Sequence, residues 1–116
     1  MENVYLLKQA TVKVPTGIRM QVPVGCFGQL LSRSSLALRN ITVVGGVIDN
    51  DYRGEMSVLL KNNNDSEFII TTDLAIAQLV FLQCFSPKLF IAVPENEMTC
   101  SERGNGGFGS TNEQRI

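Results

Sequence analysis

The chain has 116 residues, 44% of them hydrophobic, and a formal net charge of −1. That is enough apolar material for one compact core and too little length for a second independent one. The charge lacks the basic excess of a nucleic-acid binder, and no apolar run approaches the roughly 20 residues of a membrane span.

Turn formers divide the chain into short β-prone runs. In order these are Val4–Leu7, Thr11–Val14, Ile18–Val22, Met56–Leu60, Phe68–Ile70, Ala75–Phe85 and Leu89–Val93. Pro15-Thr16-Gly17, Pro23-Val24-Gly25 and Asn62-Asn63-Asn64-Asp65 read as turns between them. Only Ser32–Arg39 suits a short helix. Many short strands spaced by turns predict an all-β fold, a sandwich, barrel or jelly roll. Residues 1–100 read as the β domain and 101–116 as a polar, Gly-rich C-terminal arm, mobile when free. The N-terminus has no basic segment followed by an apolar stretch, so a soluble, intracellular protein without a secretion signal is expected.

Side-chain chemistry narrows the choices. The chain has no His, so a general base has to be a carboxylate or, failing that, Lys or Tyr. Cys26, Cys84 and Cys100 are widely spaced, which suits unpaired thiols in a reducing compartment better than a zinc site.

Three segments concentrate groups that could hold a ligand. Gly28 to Ala37 leads a strand into Arg33-Ser34-Ser35 at a helix start, where unpaired N–H groups can hold an anion; Ser32 or Ser34 as a plain N-cap is the other reading. Val44 to Glu55 reads as a hairpin with Gly45-Gly46 at its opening, apolar Val47-Ile48, then Asp49, Tyr52 and Arg53. Such glycines let a flat ligand approach the backbone, and Asp49 is the carboxylate placed to act as a base, although an ordinary Asn-Asp turn has the same composition. Arg103 to Thr111 combines Gly-rich backbone with Arg, Ser, Thr and Phe108. It reads as a cradle for polyphosphate or as a plain disordered tail, and not as a Walker loop, because it has no Gly-Lys-Ser/Thr and only five residues follow Thr111.

Together, and in this order, these segments resemble the trimeric dUTPase family. Gly-Val-Ile-Asp-x-Asp-Tyr-Arg-Gly-Glu at 46–55 is the most specific part. Arg-Ser-Ser-Leu-Ala at 33–37, Ile-Ala-Gln-Leu at 76–79 and Arg-Gly-x-Gly-Gly-Phe-Gly-Ser-Thr at 103–111 complete four of the family's five motifs. The resemblance runs from Val4 to Thr111. It implies a β jelly roll assembled as a homotrimer with shared active sites, and hydrolysis of dUTP to dUMP and pyrophosphate with Mg2+ bound mostly through phosphates and water.

Carried over residue by residue, the resemblance makes Asp49 the base that activates water. Main-chain groups around Gly46 and Val47 would match uracil, and Tyr52 would pack beneath the deoxyribose. Arg33, Ser34, Ser35 and Gln78 would lie along the phosphates. From the arm, Arg103 would bind phosphate, Phe108 would cover the base, and Gly109, Ser110 and Thr111 would close on the γ-phosphate. Ser101-Glu102-Arg103-Gly104 is similar to the arm of lentiviral dUTPases and, with the compactness of the chain, implies a viral or retroelement origin.

Two departures stand out. The family's first motif, Ala-Gly-Tyr/Phe-Asp-Leu, should lie upstream of Val4, where only three residues stand, and its metal-assisting Asp has no counterpart. The usual Lys-Gly-Asp-Arg before Ile-Ala-Gln is Thr72-Asp73-Leu74-Ala75 here. These departures motivate an alternative, a dUTPase-like protein that binds nucleotide or a protein partner without catalysis. dCTP deaminases share the fold and Arg-Ser-Ser, but need a Glu where this chain has Leu59.

Overall fold

The structure, a computed structural model, describes residues 2–85 and 89–106. They fall in two compact units, Met1–Ser86 and Pro87–Ile116. The first unit carries eight strands and one short helix: β1 (Val4–Leu6), β2 (Thr11–Ile18), β3 (Cys26–Leu31), α1 (Ser34–Ala37), β4 (Ile41–Val43), β5 (Val47–Ile48), β6 (Met56–Asn62), β7 (Phe68–Ile70) and β8 (Gln78–Gln83). The all-β class expected from the sequence holds.

Three small sheets form, with strand orders β1-β7, β2-β6-β4 and β5-β3-β8. β6 shows why a strand forms here: Met56, Val58, Leu60 and Asn62 point inward and are buried, while Ser57, Leu59 and Lys61 alternate to the other face. The buried set includes Leu6, Val14, Leu30, Ile41 and Ile70 from the other strands and Val22 from the loop before β3. Each such side chain contributes about 1.5–3 kcal/mol by leaving water.

Several boundaries differ from the sequence expectation. Pro15-Thr16-Gly17 is no turn: β2 runs through it, and the register against β6 shifts between Pro15 and Ile18. β2 is an edge strand, where a residue without an N–H donor costs no ladder bond, and Gly17 at φ 73° absorbs the bulge. The strand expected at Ile18–Val22 therefore shrinks to Ile18 as the end of β2. Asn62 is the buried end of β6 rather than part of a turn. The Ala75–Phe85 run yields only β8, and the helix contracts from Ser32–Arg39 to Ser34–Ala37. Leu89–Val93, apolar and β-prone, is in no strand, because no described segment pairs with it. The described part of the second unit holds one 3-10 turn, Glu95–Glu97.

Candidate active site

β3 is the strand on which the site is organised, because it pairs on both edges. On one edge Gly28 faces Ile48 and Gln29 faces Val47 of β5; on the other, all six residues of β3 pair with β8, ending at Leu31 opposite Gln78. β4 and β6 are the arms of a wide hairpin, with Thr42 opposite Lys61 and Val43 opposite Leu60. The segment between them leaves that sheet to place β5 beside β3. The expected hairpin over 44–55 is thus the loop of a larger hairpin, and its two-residue strand belongs to a different sheet.

That loop borders a cleft of about 290 Å³, lined among others by Gly46, Val47, Asp49 and Tyr52. The Gly46 carbonyl accepts the Leu30 N–H at 2.8 Å. Gly46 has φ 103°, and a Cβ there would stand 2.9 Å from the Leu30 carbonyl oxygen, so both backbone angle and close approach require glycine. Beyond Ile48 the chain turns, with the Tyr52 N–H donating to the Asp49 carbonyl at 3.1 Å. The Tyr52 hydroxyl donates to the Glu55 carbonyl at 2.7 Å, and its ring lies over Gly54, where a Cβ would meet Cζ at 2.8 Å. The ring is therefore held as one wall. The Asp49 carboxylate is exposed at the cleft, free to take a ligand or water.

Sequence reasoning left out Lys13, Leu30, Met56 and Ser57, which also line this cleft. Lys13 comes from β2, brought there by its pairing with Leu59. Only the register between β2 and β6 reveals it, and no local motif carries that signal. Leu59 is also in the lining, at the place where a deaminase would need a Glu.

A second cluster lies where β3 ends. Arg33 Nη1 donates to the Ala75 carbonyl at 3.1 Å, and Gln78 Nε2 donates to the Ser32 carbonyl at 3.0 Å. These bonds gather Arg33, Ser34, Ser35 and Gln78 on one end of the sheet. Neither Ser32 nor Ser34 caps the helix: Arg33 is the N-cap residue without a side-chain cap bond, and Ser32 Oγ instead accepts the Val43 N–H at 2.9 Å. The Ser34 and Ser35 side chains are exposed.

The Asp49 cleft runs along β3 from Asp49, which also borders a hollow with Phe27, to Leu30, three residues before Arg33. None of Arg33, Ser34, Ser35 and Gln78 lines the Asp49 cleft.

In the second unit the Arg103 side chain turns onto the Gly106 carbonyl, and the Gly106 N–H returns to the Arg103 carbonyl at 2.8 Å. Phe108, Gly109, Ser110 and Thr111 lie outside the described residues. Among the described residues no three His, Cys, Asp or Glu side chains gather as a metal site. No helix among the described residues is long and apolar enough to cross a membrane.

A small β fold with a loop-built cleft lined by the carboxylates Asp49 and Glu55, and an Arg/Ser/Gln cluster outside that lining, defines a class of ligand-binding β proteins. The comparisons make the class specific. The dUTPase family model matches residues 1–112. The deoxyuridine 5'-triphosphate nucleotidohydrolase of Paramecium bursaria Chlorella virus 1 is 39% identical over 112 residues, covering 96% of this chain and 77% of that protein. The protein of the same name from Chlamydia caviae is 41% identical over 116 residues, covering 97% and 79%. Among solved structures, Staphylococcus bacteriophage 80alpha dUTPase with dUPNHPP superposes with a TM-score of 0.82 at 27% identity, over 95% of this chain and 80% of that one. Native EIAV dUTPase gives 0.72 at 30% identity, over 84% and 80%. The chain belongs to the dUTPase family.

Proposed function

We propose that the chain is a dUTP diphosphatase that hydrolyses dUTP to dUMP and pyrophosphate. The observation that carries the reading is the single cleft in which Asp49, Gly46, Val47 and Tyr52 stand together, in a chain whose relatives are named deoxyuridine triphosphate nucleotidohydrolases. Asp49 takes a proton from a water as that water's oxygen bonds to the α-phosphorus. The bond from the α-phosphorus to the α,β-bridging oxygen breaks, and pyrophosphate leaves. Main-chain groups at Gly46 and Val47 match the edge of uracil; cytosine would leave buried groups unpaired. Tyr52 walls off the space of a ribose 2′-OH. Leu59 speaks against deamination, since it can move no proton. Binding without hydrolysis is not favoured by the relatives, and the carboxylate the reaction needs stands in the cleft.

Arg33, Ser34, Ser35 and Gln78 bind the phosphates, and the arm 101–116 closes over the nucleotide with Arg103, Phe108, Gly109, Ser110 and Thr111. A Mg2+ carried on the phosphate oxygens would neutralise charge during the displacement. Because none of Arg33, Ser34, Ser35 and Gln78 lines the Asp49 cleft, the proposal includes a homotrimer in which each site takes its two halves from different copies. β8 supports this: Val80, Phe81 and Leu82 are 39%, 47% and 42% exposed, an apolar strand open on both faces that invites a second copy.

The test is pyrophosphate release from dUTP with and without Mg2+, beside dCTP, dTTP and UTP. Release confined to dUTP is expected. Equal release from dCTP or UTP would refute the assigned base and sugar recognition.

A further inference from the structure

We infer that Arg53 is a positioning residue that fixes Asp49 for the reaction, and that Arg19 secures it in turn; this rests on the reading of Asp49 as the base. The segment Asp49–Arg53 is exposed throughout and leaves a strand of only two residues, so the sheet pins it weakly. Its own backbone closes one turn bond, from the Tyr52 N–H to Asp49. Arg53 adds to it: Nη1 donates to the Asn50 carbonyl at 2.6 Å and to the Tyr52 carbonyl at 3.1 Å, spanning the turn that carries Asp49.

Arg53 is itself held from outside the loop. Its carbonyl accepts Arg19 Nε at 2.8 Å, across 34 positions of sequence. The same stretch of chain donates the Gly17 N–H to Glu55 Oε1 at 2.8 Å and the Thr16 hydroxyl to the Met56 carbonyl at 2.6 Å. The β2 bulge therefore has a use: it turns donors toward the far end of the loop. Neither Arg19 nor Arg53 lines the Asp49 cleft, so both act through Asp49 and not on the ligand. Misplacing a reacting group by about 1 Å can cost on the order of 100-fold in rate, and these ties oppose such a displacement.

The experiment measures kcat and KM for dUTP, thermal midpoint, and amide hydrogen exchange over residues 47–55, for Arg53→Ala, Arg53→Lys, Arg19→Ala and Arg39→Ala. Arg53→Ala is expected to lower kcat about tenfold or more, leave KM within about threefold, hardly move the midpoint, and speed exchange in 47–55. Arg53→Lys keeps the charge and a donor on a shorter side chain without the planar fork, and should recover part of the loss. Arg19→Ala should act in the same direction more weakly, and Arg39→Ala, which stacks on Phe68 elsewhere, should match the unmodified chain. A kcat for Arg53→Ala within twofold of the unmodified chain, or a midpoint that collapses along with kcat, overturns the inference while leaving the hydrolase reading intact. If the unmodified chain releases no pyrophosphate, that reading fails, and exchange alone decides the tie: unchanged exchange in 47–55 overturns it.

Discussion

Gly46 shows how little of the cleft is negotiable at the scale of one residue. Its φ of 103° and the 2.9 Å approach to Leu30 exclude any Cβ without moving β3 or β5. Gly46→Ala should cost about 1–3 kcal/mol of stability and weaken dUTP binding, measured by urea denaturation and calorimetry on one preparation. Tyr52 offers a specificity test. Its ring is fixed by the hydroxyl bond to Glu55 and by contact with Gly54, so Tyr52→Ala should open the sugar wall and reduce the preference for dUTP over UTP by roughly tenfold or more in kcat/KM. An unchanged ratio would remove Tyr52 from discrimination. These residues were legible in the sequence because Gly46, Val47, Asp49 and Tyr52 fall in one contiguous stretch whose chemistry is local. Lys13 was not, because it reaches the same cleft only through the pairing of Lys13 with Leu59.

Among the elements, the end of β6 carries the clearest stability prediction. Asn62 is fully buried; Nδ2 donates to the carbonyls of Leu6, Leu7 and Ser66, and Oδ1 accepts from the Asn64 backbone and side chain. One amide thus ties β1, β6 and the turn after it. Asn62→Leu matches the volume but strands those carbonyls, and should lower the unfolding free energy by about 1–3 kcal/mol or more. A change below about 0.5 kcal/mol in urea denaturation would contradict that role. The sequence suggested a turn there because four consecutive polar residues favour one, and burial of the first depends on carbonyls from a strand 56 positions away. The bulge in β2 was hidden for a similar reason. Pro-Thr-Gly composition signals a turn, whereas an edge position in the sheet lets the strand continue through it. Strand alternation in β6, by contrast, was readable directly, since inward and outward positions follow a period of two.

For the whole molecule, the separation of the two clusters sets the predictions. If each site joins the Asp49 cleft of one copy to the Arg33–Gln78 cluster of another, Asp49→Asn chains and Gln78→Ala chains, each impaired alone, should regain activity when mixed and reassembled. Sedimentation should show three copies, and loss of mixing rescue in a stable trimer would place each site within one chain. The fold class was legible because short β-prone runs and turn formers are local signals; the homotrimer entered only through the family resemblance, since the exposed apolar faces of β8 become visible only once its pairing with β3 is known. The central claim, that this chain hydrolyses dUTP with Asp49 as the base, is tested most directly by comparing the unmodified chain with Asp49→Asn for pyrophosphate release and dUTP affinity. The account predicts release by the unmodified chain, a fall of at least about 100-fold in the variant, and nearly equal binding by both. Equal rates of release, or loss of binding as large as the loss of rate, would contradict it.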